Sequence, residues 1–351
     1  MSPGEDWRPS ASRRALRERA ALLARARGFF AARGVLEVDT PLLVNAPVSD
    51  VHIASATVEL AAEPHRAERA PGASGAPPLY LHTSPEYAMK RLLAAGSGDI
   101  YQICHVVRGN ERGRLHNPEF TLIEWYRSGF SLAALTDEVE ALVRVLLGPA
   151  AADLRSERLS YREAFARELT LDPFAAADAA LLAAARRLGW QGEAPHAGSG
   201  DRARAGGTTA GVNRDELLEF LMGFGVGPRL GRGALTFIHG YPATQAALAR
   251  LDPHDARTAL RFELYCEGIE LANGFHELQS APEQRARFER DNEERRRAGL
   301  AAYPPDERLL AALAAGLPDC AGVALGFDRT LMLAVGAAHI DEVLSFPTGR
   351  A

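Results

Sequence analysis

Arg108-Gly-Asn-Glu-Arg-Gly-Arg-Leu-His-Asn-Pro-Glu-Phe120, continuing into Thr121-Leu-Ile-Glu-Trp-Tyr126, is the stretch whose reading decides the fold. The segment before it, Asp99-Ile-Tyr-Gln-Ile-Cys-His-Val-Val107, and the segment Glu119 to Tyr126 are both rich in β-branched and aromatic residues. They read as paired strands, with the Gly- and Asn-containing segment as the loop of a hairpin. Strand alternation sends Arg108, Phe120, Glu124 and Tyr126 to one face, so the four can line one pocket. Arg108 offers a planar fork of donors for phosphate oxygens and keeps its charge when half-buried. Arg114 and His116 are candidates for the outer phosphates. Phe120 presents a face on which a base can stack, while the Glu124 carboxylate and the Tyr126 phenol suit a substrate ammonium. The competing reading is an exposed arginine-rich hairpin with one core aromatic, and this stretch alone does not separate the two.

With 351 residues and 47% hydrophobic content the chain can bury a large core, as one large domain or two modest ones. A formal net charge of -5 excludes a nucleic-acid binder that works through a broad basic surface, though not a local patch. Lys90 is the only lysine, so it is the one candidate for lysine-based covalent chemistry. Its place in a helix-like run makes it a surface or phosphate-side residue. Cys104, Cys266 and Cys320 are odd in number and form no Cys-x-x-Cys unit, which argues against a disulfide framework or a structural zinc site. No secretory, transmembrane or lipidation signal is visible, and a cytoplasmic location is expected.

Outward from the hairpin, apolar residues Leu16, Ala20, Leu23 and Phe30 recur at helical spacing over residues 10–33, Gly34 stops the helix, and Val35-Leu-Glu-Val38 reads as a short strand ending at Thr40-Pro41. Residues 63–78 read as a surface loop. Leu79-Tyr-Leu-His82 is a strand, and Thr83-Ser-Pro-Glu86 opens a helix with Ser84 as N-cap, Pro85 at the first position and Glu86 in the first turn. Residues 132–188 are dominated by helical periodicity, and 191–212 are a flexible connection. Strands follow over 235–239, 260–266 and 269–272, then a charged, exposed helix over 282–299. Ala321 to Leu333 reads as a buried strand turning into a helix at a glycine. Strands this far apart, with helices between them, imply an α+β domain around a mainly antiparallel sheet.

Two further constellations carry chemistry. Glu263, Glu267, Glu270 and Glu277 crowd the segment Arg261 to Leu278, and acids within strands are costly to bury unless they meet cations. Glu263 and Glu270 are candidate magnesium ligands, since a magnesium ion takes one or two carboxylates plus phosphate oxygens. Glu277 is a candidate for a substrate amine, and a solvated strand face with charge alternation is the alternative. In Gly322-Val-Ala-Leu-Gly-Phe-Asp-Arg329 the small residues Gly322, Ala324 and Gly326 allow close backbone approach, and Arg329 in the first helical turn can grip a terminal phosphate.

Assembled in this order, the three constellations resemble the catalytic domain of class II aminoacyl-tRNA synthetases, and specifically the lysyl branch. About residues 19–41 resemble the first motif, a dimer interface in that family; about 100–127 the second; about 320–336 the third. Thr83-Ser-Pro-Glu86, His116-Asn-Pro-Glu-Phe120 and Glu270-Leu-Ala-Asn-Gly-Phe-His-Glu-Leu278 carry the likeness to the lysyl group. The resemblance implies that Arg108 and Arg329 are the catalytic arginines on the phosphates of ATP and that Phe120 stacks adenine. It implies that Gly109, Asn110, His116, Asn117, Glu270, Leu271 and Gly326 complete the ATP site, with Mg2+ on Glu263 and Glu270. It further places Ser84, Pro85 and Glu86 beside the substrate's amino group near its carboxylate. Glu124, Tyr126 and Glu277 would receive the distal ammonium, with Asn273 and Ala324 lining the same pocket.

Little sequence precedes the first motif, so no anticodon-binding domain is expected and residues 1–351 are read as one catalytic domain. The chain therefore looks most like the stand-alone paralogues that join β-lysine to a lysine side chain of elongation factor P. Such an enzyme has elongation factor P and (R)-β-lysine as partners, uses α-lysine less well, forms homodimers, and is not expected to bind tRNA. A truncated enzyme charging tRNA and an inactive regulatory paralogue are the alternatives. One departure stands out: the family follows its phosphate-binding arginine with Asn-Glu, whereas Arg108 is followed by Gly109 and Asn110. Either Asn110, a neutral acceptor, or Glu111, after a slip of the loop, would read the adenine amino group.

Overall fold

The structure, a computed structural model, describes residues 7–60, 78–109, 111–192 and 213–351. Asn110 lies outside the described residues, as do the expected loop over 63–78 and connection over 191–212, apart from Pro78, Gln191 and Gly192. In chain order the elements are α1 (Arg13–Ala31), β1 (Leu36–Glu37), β2 (Leu43–Val44), β3 (Thr57–Val58), β4 (Leu79–Leu81), α2 (Glu86–Ala94), β5 (Ile100–Val107), β6 (Glu119–Ser128), α3 (Leu132–Leu147), β7 (Arg155–Ser160), α4 (Tyr161–Leu169), α5 (Asp178–Arg187), α6 (Arg214–Leu221), β8 (Ala234–Pro242), β9 (Thr258–Cys266), β10 (Ile269–His276), α7 (Ala281–Arg297), α8 (Glu307–Gly316), β11 (Cys320–Gly326) and α9 (Phe327–Val335). This is the expected α+β class with mainly antiparallel pairing. The chain forms two compact units: Met1–Tyr126 with Gln279–Pro318 and Gly326–Ala351, and Arg127–Leu278 with Asp319–Leu325.

In the first unit the hairpin forms as read. Strand β5 pairs antiparallel with β6, with Gln102 opposite Glu124 and Ile100 opposite Tyr126, and β1 lies parallel to β5. Helix α1 starts where the Ser12 side chain accepts from the Ala15 N–H, and Gly34, with φ +67°, turns the chain at its end. Its buried face is Ala15, Leu22, Ala26, Phe29 and Phe30, one step around the helix from the Leu16, Ala20 and Leu23 stripe expected, and Ala20 is exposed. The aromatic pair at the end of α1 decides that rotation: Phe30 stacks on Tyr101 with centroids 4.2 Å apart and meets Trp125 edge-on. Helix α7 corrects another expectation, because Gln284, Arg287, Phe288, Asn292 and Arg295 are buried along it. Its charge is partly internal: Arg295 donates to the Ala301 and Asp50 carbonyls and lies over the Tyr303 ring.

In the second unit β11, β10, β9 and β8 pair antiparallel in that order, and β7 adds parallel to β8. β7 interrupts the stretch read as mainly helical; its Arg-Ser-Glu-Arg-Leu-Ser pattern is that of an exposed edge. A helical layer of α4, α5 and α6 has its own apolar core around Tyr161, Phe165, Leu181 and Leu217. The β9–β10 turn is Glu267-Gly268, both with positive φ of +51° and +73°. This two-residue loop matches the twist of the flanking strands and fixes their register.

Candidate active site

The hairpin and α2 assemble an acidic recess in the first unit. Glu124 is 2% exposed, and its two oxygens accept from the Ser84 hydroxyl at 2.8 Å and the Tyr126 phenol at 2.8 Å. The Ser84 hydroxyl also accepts from the Glu86 N–H at 3.0 Å, but the N-cap is Pro85, not Ser84, and the helix begins at Glu86, one residue later than expected. Burial, then the nearby Glu86 charge, push the Glu124 carboxyl up to about 7, although the hydroxyls of Ser84 and Tyr126 and the Lys90 ammonium favour its ionised form. An acid held in this way gains most from a cation that arrives with the substrate. Lys90 corrects the sequence reading: it is 1% exposed, not a surface residue, and its ammonium donates to Glu86 Oε1 at 2.6 Å.

Gln102 was not foreseen. It is 1% exposed, lies directly across the strand pair from Glu124, and neither atom of its amide has a hydrogen-bond partner among the described residues. The register that pairs residue 102 with residue 124 was the signal, because it puts both side chains on one face.

The phosphate-type residues gather at the hairpin loop. The Arg108 guanidinium lies 5.1 Å over the Phe120 ring, donates to the Thr83 carbonyl at 3.4 Å and is 4.0 Å from Glu111. Gly109 approaches the Ala54 backbone, donating to its carbonyl at 2.7 Å, and an added Cβ would meet Ala54 at 3.3 Å. Arg329, just past Gly326 at the start of α9, reaches the Leu115 carbonyl at 3.3 Å and His116 Nε2 at 2.6 Å. Crowding by protein atoms, then the charges of Arg329 and Arg108, lower the His116 imidazole to about 4 although more than a third of the residue faces solvent. His116 is thus neutral at neutral pH and accepts from Arg329, so it orients that arginine without adding charge. Asn117 is buried, and its amide bonds the Glu119 carbonyl and the Thr348 N–H. Asp328, 1% exposed, joins the first and third motifs to the second: it accepts from the Thr121 N–H at 2.6 Å and from Arg19. Neither Arg19 nor Asp328 was singled out from sequence.

The second unit carries the other acids on one sheet face. Asn273 is opposite both Glu263 on β9 and Ala324 on β11, and Glu270 is opposite Tyr265. A bulge between Glu270 and Ala272 lets residues 270 and 273, an odd number apart, share that face. Glu263 accepts from Arg261 at 2.5 Å and from the Tyr265 phenol at 2.7 Å. Each carboxylate oxygen has a second acceptor position. Among the described residues no group of three or more His, Cys, Asp or Glu side chains is placed to hold a metal. Two carboxylates therefore fit only an ion that brings the rest of its shell, as magnesium does with phosphates and water. The Asn273 amide oxygen is buried without a partner among the described residues, Leu271 is 2% exposed, and Glu277 is 1% exposed with its N–H on the Cys320 carbonyl. His276 is hydrogen-bonded to Asp319, and the Glu267 carboxylate accepts from the Gly233 N–H, so neither joins this face.

Residues 5–350 match the tRNA synthetases class II (D, K and N) family, and the chain belongs to it. It is similar to proteins named elongation factor P–(R)-beta-lysine ligase: one from Yersinia enterocolitica and one from Klebsiella pneumoniae, each 47% identical over 351 residues and 100% of both chains. Another, from Vibrio vulnificus, is 46% identical over 342 residues, 97% of this chain and 98% of its own. No helix among the described residues is long and apolar enough to cross a membrane.

Proposed function

We propose that this protein activates (R)-β-lysine with ATP and transfers it to a lysine side chain of elongation factor P. The enzyme class follows from family membership and from relatives named as ligases: it is an ATP-dependent ligase. The single observation that carries the substrate reading is the buried Ser84–Glu124–Tyr126 cluster, an acid recess that a substrate ammonium would complete. In the first half-reaction the amino acid's carboxylate attacks the α-phosphorus of ATP, forming an acyl adenylate and expelling pyrophosphate. In the second, the acceptor lysine amine attacks the acyl carbonyl, an amide forms, and AMP leaves. No covalent bond to the enzyme is required.

Arg108 and Arg329 neutralise charge on the phosphates as it shifts in the transition state, with His116 fixing the Arg329 guanidinium. Phe120 takes the adenine face once Arg108 turns from the ring toward phosphate, and Gly109, Asn117 and Gly326 shape the walls. Glu86 and Ser84 hold the amino group near the carboxylate, with Pro85 the N-cap of the helix that begins at Glu86. In the first unit Glu124 and Tyr126 receive the distal ammonium. Magnesium, bound by Glu263 and Glu270, would supply positive charge to the phosphates. The exposed Leu36 of the first-motif segment, with the exposed Leu42 and Leu43 just after it, favours a homodimer in which this apolar surface is covered. The test is pyrophosphate exchange with (R)-β-lysine, (S)-β-lysine and α-lysine: strongest exchange with the first supports the proposal, and exchange with none of them overturns it.

A further inference from the structure

We propose that Lys90 is a positioning residue for amino-acid activation: its buried ammonium pairs with the Glu86 carboxylate and orients it toward the substrate's amino group. The inference rests on the reading of Glu86 given above. Lys90 and Glu86 are one helical turn apart on α2, 1% and 8% exposed, with Nζ 2.6 Å from Oε1. A buried carboxylate is costly unless it meets a cation. Lys90 supplies that cation and engages one named oxygen, which fixes the rotation of the carboxylate about its last bond. Glu86 is tied in turn to the rest of the recess, since its N–H donates to the Ser84 hydroxyl and that hydroxyl donates to Glu124. Lys90 is thus the internal end of a chain of contacts running through Glu86 and Ser84 to Glu124 and Tyr126.

The composition bears on the same point. Every other side-chain cation of the 40 Lys and Arg residues is arginine. The one lysine stands where its ammonium donates to the Glu86 carboxylate. Guanidinium is a planar fork with five donors, and it demands a wider set of acceptors than an ammonium does.

The test is steady-state pyrophosphate exchange with the intact protein and Lys90→Met, Lys90→Arg, Glu86→Gln and the double variant Glu86→Gln/Lys90→Met, read as separate KM values for lysine isomer and for ATP. Wild-type exchange stimulated by a lysine isomer is the control on the functional reading, so its absence refutes that reading and not this one. Lys90→Met and Lys90→Arg are expected to raise the amino-acid KM about tenfold or more while moving the ATP KM less than about threefold. The double variant, which buries no unpaired charge, is expected to match Glu86→Gln alone, because Lys90 acts through Glu86. Single Lys90 variants with an unchanged amino-acid KM overturn the proposal. So does equal loss for both substrates, or, if Lys90→Met does not fold, a double variant whose amino-acid KM exceeds that of Glu86→Gln about tenfold.

Discussion

Replacing Glu124 by Gln should stabilise the ligand-free protein at alkaline pH while abolishing activation of the amino acid. Burial, and next the Glu86 charge, raise the Glu124 carboxyl from 4.5 to about 7. Holding it ionised in the folded state therefore costs about 3 kcal/mol relative to the unfolded chain. The sign follows from linkage. The folded protein binds this proton more tightly, so stability is full below the ordinary carboxylate range and is lost as pH rises through about 7. Gln carries no charge, and the Ser84 and Tyr126 hydroxyls can turn to meet its amide. Stabilities of wild type and variant from urea unfolding should nearly coincide at about pH 4 and separate by up to about 3 kcal/mol in favour of the variant at about pH 8. In wild type, calorimetry in buffers of different ionisation enthalpy should show a proton released when a lysine isomer binds at about pH 6.5, because the arriving ammonium favours ionised Glu124. A stability difference that does not change with pH, or a variant less stable at alkaline pH, would refute the reasoning.

Glu263→Gln should cost about 1–3 kcal/mol of stability, since it leaves the half-buried Arg261 beside a neutral partner, and should raise the magnesium concentration needed for exchange; an unchanged magnesium requirement removes Glu263 from the metal site. If Asn110 reads adenine, Asn110→Glu should tighten ATP binding and Asn110→Ala should weaken the preference for ATP over GTP, measured by exchange with each nucleotide; if Glu111 reads it, only Glu111→Ala should do so. Finally, Lys90 is the one lysine and is 1% exposed, so incubation with ATP and lysine but no acceptor should leave every side chain of the enzyme unmodified in a peptide mass map. Acylation of Lys90 there would contradict its place in the structure.

What could be read in the sequence was whatever obeys a short-range rule. Strand alternation put Phe120, Glu124 and Tyr126 on one face, and the register of β5 with β6 agrees. The glycine that ends β11 starts α9, as read, because the backbone must turn there. The misses were contacts set by distant partners. The period of α1 was recognised, but which face is buried depends on Tyr101 and Trp125, far along the chain. Lys90 looked solvent-facing because charge on a helix usually is, and only its pairing with Glu86 makes burial tolerable. β7 was hidden by its polar edge composition, and the bulge in β10 that brings Glu270 and Asn273 to one face has no simple sequence signature.

The central claim is tested most directly by the intact mass of elongation factor P after incubation with this protein, ATP, magnesium and each lysine isomer in turn. The account predicts a gain of one lysyl residue on a single lysine of the factor, fastest with (R)-β-lysine and lost with Glu124→Gln. An unmodified factor, in a reaction where the same enzyme charges tRNA with lysine, would contradict it.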